Sequence, residues 1–189
     1  MPTALDKPAI LQQLRHGTAA AHAALEQGAF NRALSAGTVS AADTEHMLSK
    51  LYGFLVPYET ELRRRADEFG PEWEIGQRQR AQLIRQDMPH AAQLPLCPAM
   101  PPLRTRAQLL GAMYVLEGST LGGQLITRQL AQAGIGLRTY FSGYGELTGP
   151  RWKAFCQLLG AEAADADAAE IVASAVLTFE RLHAWIEQP

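Results

Sequence analysis

The sequence has only two cysteines, Cys97 and Cys156, and they stand in no CxxC or zinc-ligand spacing. That scarcity excludes a disulfide scaffold and a thiolate zinc site, and its simplest setting is a reduced, cytoplasmic one. Basic residues are scattered or in short clusters such as Arg63-Arg64-Arg65, and 17 Lys and Arg against 19 Asp and Glu leave a net charge of −2. A nucleic-acid footprint needs a concentrated basic face, so no nucleic-acid partner is expected. An anionic small molecule remains open, because a few well-placed cations suffice for it. No apolar run approaches the roughly 20 residues of a membrane-spanning helix, so no membrane partner is expected either. The opening stretch MPTALDKPAILQQL carries an acidic residue and two prolines where a signal peptide would have a basic start and an apolar core. GxGxxG and Walker-type loops are both missing, which leaves no nucleotide-binding fingerprint.

What is present is helical pattern. With 47% hydrophobic and 19% charged residues, the 189-residue chain has the balance of a globular protein and fits one domain, 1–189. In a first helix Leu11, Leu14, Thr18, Ala21, His22 and Leu25 recur at three- and four-residue intervals and share a face. A second helix is expected from Ser40 as N-cap, with Asp43 at N3, to about residue 67; Pro57 inside it should kink it. A shorter helix is expected over 72–87. Five prolines make 88–104 an extended connection. A long helix then spans about 105–132, a Gly-rich turn region 134–149, a helix opened by Pro150 runs to about 159, and a last helix covers 165–187. Little reads as strand, so the fold class is all-α.

Two segments carry chemistry. In the first, His22 lies on the apolar stripe with Thr18 one turn before, Glu26 one turn after and Arg15 two turns before. A neutral imidazole facing a cavity can ligate a metal if its second nitrogen has an acceptor, and Glu26 is placed to serve. Taken alone, this segment fits a core or boundary histidine satisfied by a nearby carbonyl better than a metal ligand. In the second segment, GAMYVLEGSTLGGQ, three glycines (Gly118, Gly122 and Gly123) interrupt a helix at a cost of about 1 kcal/mol each. Close helix packing explains a lone GxxxG. The third glycine weakens the helix beyond what packing needs and suits a flat ligand pressed against a bent helix.

With these segments in hand, the chain resembles the haem oxygenase family. The resemblance rests on Arg15, Thr18, His22 and Glu26 at the spacing of the family's proximal helix. It also rests on Gly118, Gly122 and Gly123 in the string YVLEGSTLGG, which looks like the bacterial, biliverdin-producing branch. It continues through Phe141-Ser142-Gly143-Tyr144-Gly145, Arg151-Trp152-Lys153-Ala154-Phe155 and residues 178–185.

The resemblance implies a helical bundle with haem between a proximal helix and a bent distal helix. Haem would be both substrate and cofactor, with His22 as axial iron ligand. Arg15, Tyr114 and, more loosely, Lys153 would hold the propionates, and Phe179 would form an aromatic wall. Gly118, Ser119, Gly122 and Gly123 would form the distal, catalytic side. Ser119 stands where the mammalian enzymes have an Asp that orders water. The implied reaction cleaves haem with O₂ to biliverdin, CO and ferrous iron, using electrons from an external ferredoxin or reductase. A phytochrome receiving biliverdin is one implied partner, iron acquisition the other purpose.

Three other readings stand beside this one. A haem-binding module would hold the ligand without degrading it, which Ser119 keeps open. A di-iron oxidase would use Glu180-x-x-His183 and Asp43-x-x-His46. A thiamin-degrading enzyme would need Cys97 or Cys156 as nucleophile.

Overall fold

The computed structural model describes residues 9–162 and 165–188, so the first eight residues of the opening stretch lie outside it. Among the described residues there are helices and no strands. The α-helices are α1 (Ala9–Glu26), α2 (Ala29–Ala36), α3 (Ala41–Arg64), α4 (Ala81–Asp87), α5 (Arg106–Gly118), α6 (Thr120–Gln132), α7 (Thr148–Glu162) and α8 (Asp165–Ile186). None is long and apolar enough to cross a membrane.

Helix α8 is the central element and packs against α1, α3 and α5. Its closest approach is to α5 at Gly111, where a Cβ would stand 2.4 Å from the Ile171 carbonyl oxygen. A side chain there would push the two helices apart. Helix α3 opens with the expected capping box. The Asp43 amide donates to Ser40 Oγ at 3.1 Å and the Ser40 amide to Asp43 Oδ2 at 2.9 Å. The helix runs unbroken through Pro57.

Helix α2 escaped the reading of the sequence. It is eight residues long and closed by Gly37, whose φ of 68° is left-handed. The Gly37 amide donates to the Leu34 carbonyl and the Thr38 amide to the Ala33 carbonyl, the bonds of a Schellman ending. Only Phe30 and Leu34 are buried, too few to show a period.

The helix expected over 72–87 is another departure. Two 3-10 turns, Pro71–Trp73 and Ile75–Arg78, precede the short α4, and Glu74 between them has a left-handed φ of 49°. The amides of Arg80 and Ala81 donate to Glu59 Oε1 on α3, at 2.5 and 2.9 Å. Helix α3 thus ties down this segment where a continuous helix would have bonded to itself. The connection at 88–104 holds one 3-10 turn, Pro89–Gln93, and is otherwise irregular.

The helix expected over 105–132 is divided at Ser119 into α5 and α6. Side-chain donors compete there for the helix carbonyls. The Leu116 carbonyl accepts from Ser119 Oγ at 2.7 Å and from Arg80 Nη2 at 2.6 Å, and the Glu117 carbonyl accepts from Thr120 Oγ1 at 2.6 Å. Such back-bonding bends helices.

Candidate functional site

Helices α1, α2, α5, α6, α7 and α8 enclose a cavity of about 580 Å³. Its lining includes Thr18, His22 and Glu26 from α1, Asn31 and Ser35 from α2, Tyr114 and Gly118 from α5, and Ser119 at the break. Gly122 and Leu125 from α6, Trp152 from α7 and Phe179 from α8 complete it. Most of the side chains that sequence singled out therefore converge on one space.

His22 Nδ1 stands 3.4 Å from Glu26 Oε2, one turn along α1, and both side chains are more than half exposed. A proton on Nδ1 pointing at that carboxylate would leave the Nε2 lone pair for a metal. The imidazole meets the buried Phe179 ring edge-on, with centroids 5.6 Å apart. Thr18 is buried and its hydroxyl donates to the Leu14 carbonyl at 2.7 Å, so it contributes little free hydrogen-bonding capacity to the cavity.

The three glycines have three different surroundings. A Cβ on Gly122 would meet nothing within 4 Å, since the position opens on the cavity. At Gly118 it would reach the Trp152 ring at 3.4 Å. At Gly123 it would stand 2.1 Å from the Phe141 carbonyl oxygen. Gly123 therefore serves loop packing and lies outside the main cavity. The third glycine, read from sequence as evidence for a ligand, is the one explained by packing.

Arg15 and Lys153 lie outside the main cavity too. They line an adjoining cleft of about 700 Å³ with His16 and Cys156, and the two spaces share Tyr114 and Trp152. Tyr114 forms the wall between them. Burial raises its phenol pKa above the ordinary value, against the pull of its Thr18 hydrogen bond and the nearby Arg15.

Behind the α5–α6 break sits a buried polar cluster that sequence did not show. Arg78 Nη1 bonds Glu117 Oε2 at 2.7 Å, with both side chains almost fully enclosed. The Tyr144 hydroxyl lies 3.0 Å from Glu117 Oε1. Arg80 has an unpartnered buried Nε and lines a second cavity of about 120 Å³, together with Ser119, Thr120, Gly123 and Asn31. Buried Arg and Glu are rare enough that only tertiary context reveals them. Burial raises the Glu59 pKa beside this cluster, despite its two backbone donors.

Of the carboxylates named for a di-iron site, Asp43 is engaged in capping α3. Among the described residues no group of three His, Cys, Asp or Glu is placed to hold a metal ion. Burial pushes the Cys97 thiol pKa up, which is the wrong direction for a nucleophile.

These walls define a helical protein with a histidine on one side of a cavity and a glycine-broken helix on another. The sequence profile described as "Heme oxygenase" matches residues 9–188, and the chain belongs to the haem oxygenase family. Among solved structures, it is similar to heme oxygenase-1 from the cyanobacterium Synechocystis in complex with heme. That likeness has a TM-score of 0.75 at 16% identity and covers 94% of this chain and 90% of that one. It is also similar to heme oxygenase from Leptospira interrogans, with a TM-score of 0.74 at 19% identity, over 94% of this chain and 98% of that one. No curated protein sequence matches the chain.

Proposed function

We propose that this haem oxygenase family member binds haem in the 580 Å³ cavity through His22 and cleaves it with O₂ to biliverdin, CO and ferrous iron. The observation that carries the reading is the pairing of the His22 imidazole, held at Nδ1 by Glu26, with the open backbone at Gly122 in one cavity. Haem supplies an iron that binds O₂ and a macrocycle that is opened, and the protein's residues do the rest.

His22 holds the iron, with Glu26 fixing the imidazole tautomer and Phe179 limiting its tilt. Arg15 and Lys153 receive the propionates in the adjoining cleft, with the Tyr114 side chain at the boundary. Gly122 lets the backbone come close to the macrocycle, and Gly118 leaves room against Trp152. The Ser119 hydroxyl donates its proton to the Leu116 carbonyl, so it meets the site as an acceptor. Proton donors are then water molecules held beside Ser119 in the 120 Å³ cavity, which is roomy enough for them.

Electrons come from an external ferredoxin or reductase, consistent with the missing nucleotide fingerprint. Biliverdin passes to a phytochrome or the iron to the cell. Cytoplasmic location is part of this reading. Hemin added to the purified protein should give a Soret band; reductant and O₂ should then replace it with biliverdin absorption. A stable Soret band under turnover would leave a haem-binding module instead.

A further inference from the structure

We propose that Tyr144 is a positioning residue and that the loop carrying it is a splint across the break in the distal helix. The proposal rests on the reading above, in that the α5–α6 break is the wall that faces haem. The loop touches the broken helix on both sides of Ser119. Before the break, the Tyr144 hydroxyl donates to the Glu117 carboxylate, 3.0 Å from Oε1 and 3.2 Å from Oε2. After it, the Phe141 carbonyl lies against Gly123, where even a methyl group would not fit. One residue on, Gln124 Nε2 donates to the Gly145 carbonyl at 3.2 Å. Gly143 and Gly145, with φ of 56° and 58°, let the loop turn tightly enough to make these contacts.

The splint is anchored from behind. Arg78 pairs with Glu117 and donates through Nε to the Trp73 carbonyl at 2.6 Å, while the Arg151 guanidinium lies 4.6 Å from the Tyr144 ring centroid. A helix interrupted by back-bonded hydroxyls and three glycines has little stiffness of its own. A bridge joining both sides of the break fixes its angle, and releasing Tyr144 from Glu117 frees the distal wall to swing.

Glu117→Ala is the obvious test, but it leaves Arg78 buried and unpaired and is expected to unfold the protein. Tyr144→Phe removes one hydroxyl and keeps the ring. In the ligand-free variant, amide hydrogen exchange at residues 118–124 should rise about tenfold or more, the worth of a hydrogen bond to a charged group, while α1 and α3 keep their rates. In the hemin complex, turnover should fall while hemin affinity and the Soret position stay unchanged. Unchanged exchange at 118–124, or an equal rise in every helix, would overturn the proposal. The exchange measurement needs no haem, so it stands or fails apart from the functional reading, which fails if hemin does not bind the unaltered protein.

Discussion

The imidazole of His22 meets the ring of Phe179 edge-on at 5.6 Å, across the contact between α1 and α8. The pair joins the proposed iron ligand to the central helix of the fold. Phe179→Ala should therefore act twice. It removes a core ring, at about 3 kcal/mol of stability, and it frees the imidazole to tilt. Urea unfolding and hemin titration should both respond. A loss of stability with unchanged hemin affinity would show that the ring does not orient His22.

The glycines of the distal helix give a paired prediction. Gly122→Ala should stabilise the ligand-free protein by up to about 1 kcal/mol, because the position is helical and open. The same methyl group intrudes on the cavity, so hemin affinity or turnover should fall. Gly123→Ala should lower the unfolding midpoint instead, since the Phe141 carbonyl occupies the space. Equal effects at the two positions would remove the distinction between a ligand glycine and a packing glycine.

Arg15 and Lys153 are exposed, so their loss should leave stability unchanged and act through haem alone. The double variant Arg15→Ala/Lys153→Ala should bind hemin about tenfold more weakly at low salt, and its affinity should depend less on ionic strength. An unaltered salt dependence would place the propionates elsewhere.

The Ser40–Asp43 capping box gives a pH prediction. Hydrogen bonds from Ser40 hold the Asp43 carboxyl below its ordinary pKa. The stabilisation is therefore present above the unfolded value of about 3.9 and is lost as pH falls through the lower, folded value. Asp43→Asn should reduce the urea midpoint at pH 7, and its difference from the unaltered protein should shrink towards pH 2–3. A difference constant across that range would mean that the charge does not matter.

Local signals were legible in the sequence wherever residues act on their near neighbours. The Ser40 box, the stripe on α1 and the His22–Glu26 spacing all lie within one turn or a few turns of helix. That the distal helix bends was legible from its glycines, but the part Arg80 plays was not, since Arg80 stands 36 residues before the Leu116 carbonyl that it caps. The broken segment at 71–80 has the same origin, since its amides are taken by Glu59 on another helix. Gly123 shows the limit most clearly: its spacing pointed to a ligand, and its neighbour is a loop carbonyl 18 residues ahead. The Glu117, Arg78 and Tyr144 cluster left no periodic signal, because each member comes from a different element.

The most direct test of the account is to follow the visible spectrum of the hemin-loaded protein, and of His22→Ala, before and after reductant and O₂. A histidine-ligated Soret band is expected only in the unaltered protein, replaced on turnover by biliverdin absorption. A histidine-ligated band retained in His22→Ala would contradict ligation by His22, and a Soret band that persists under turnover would contradict the proposed reaction.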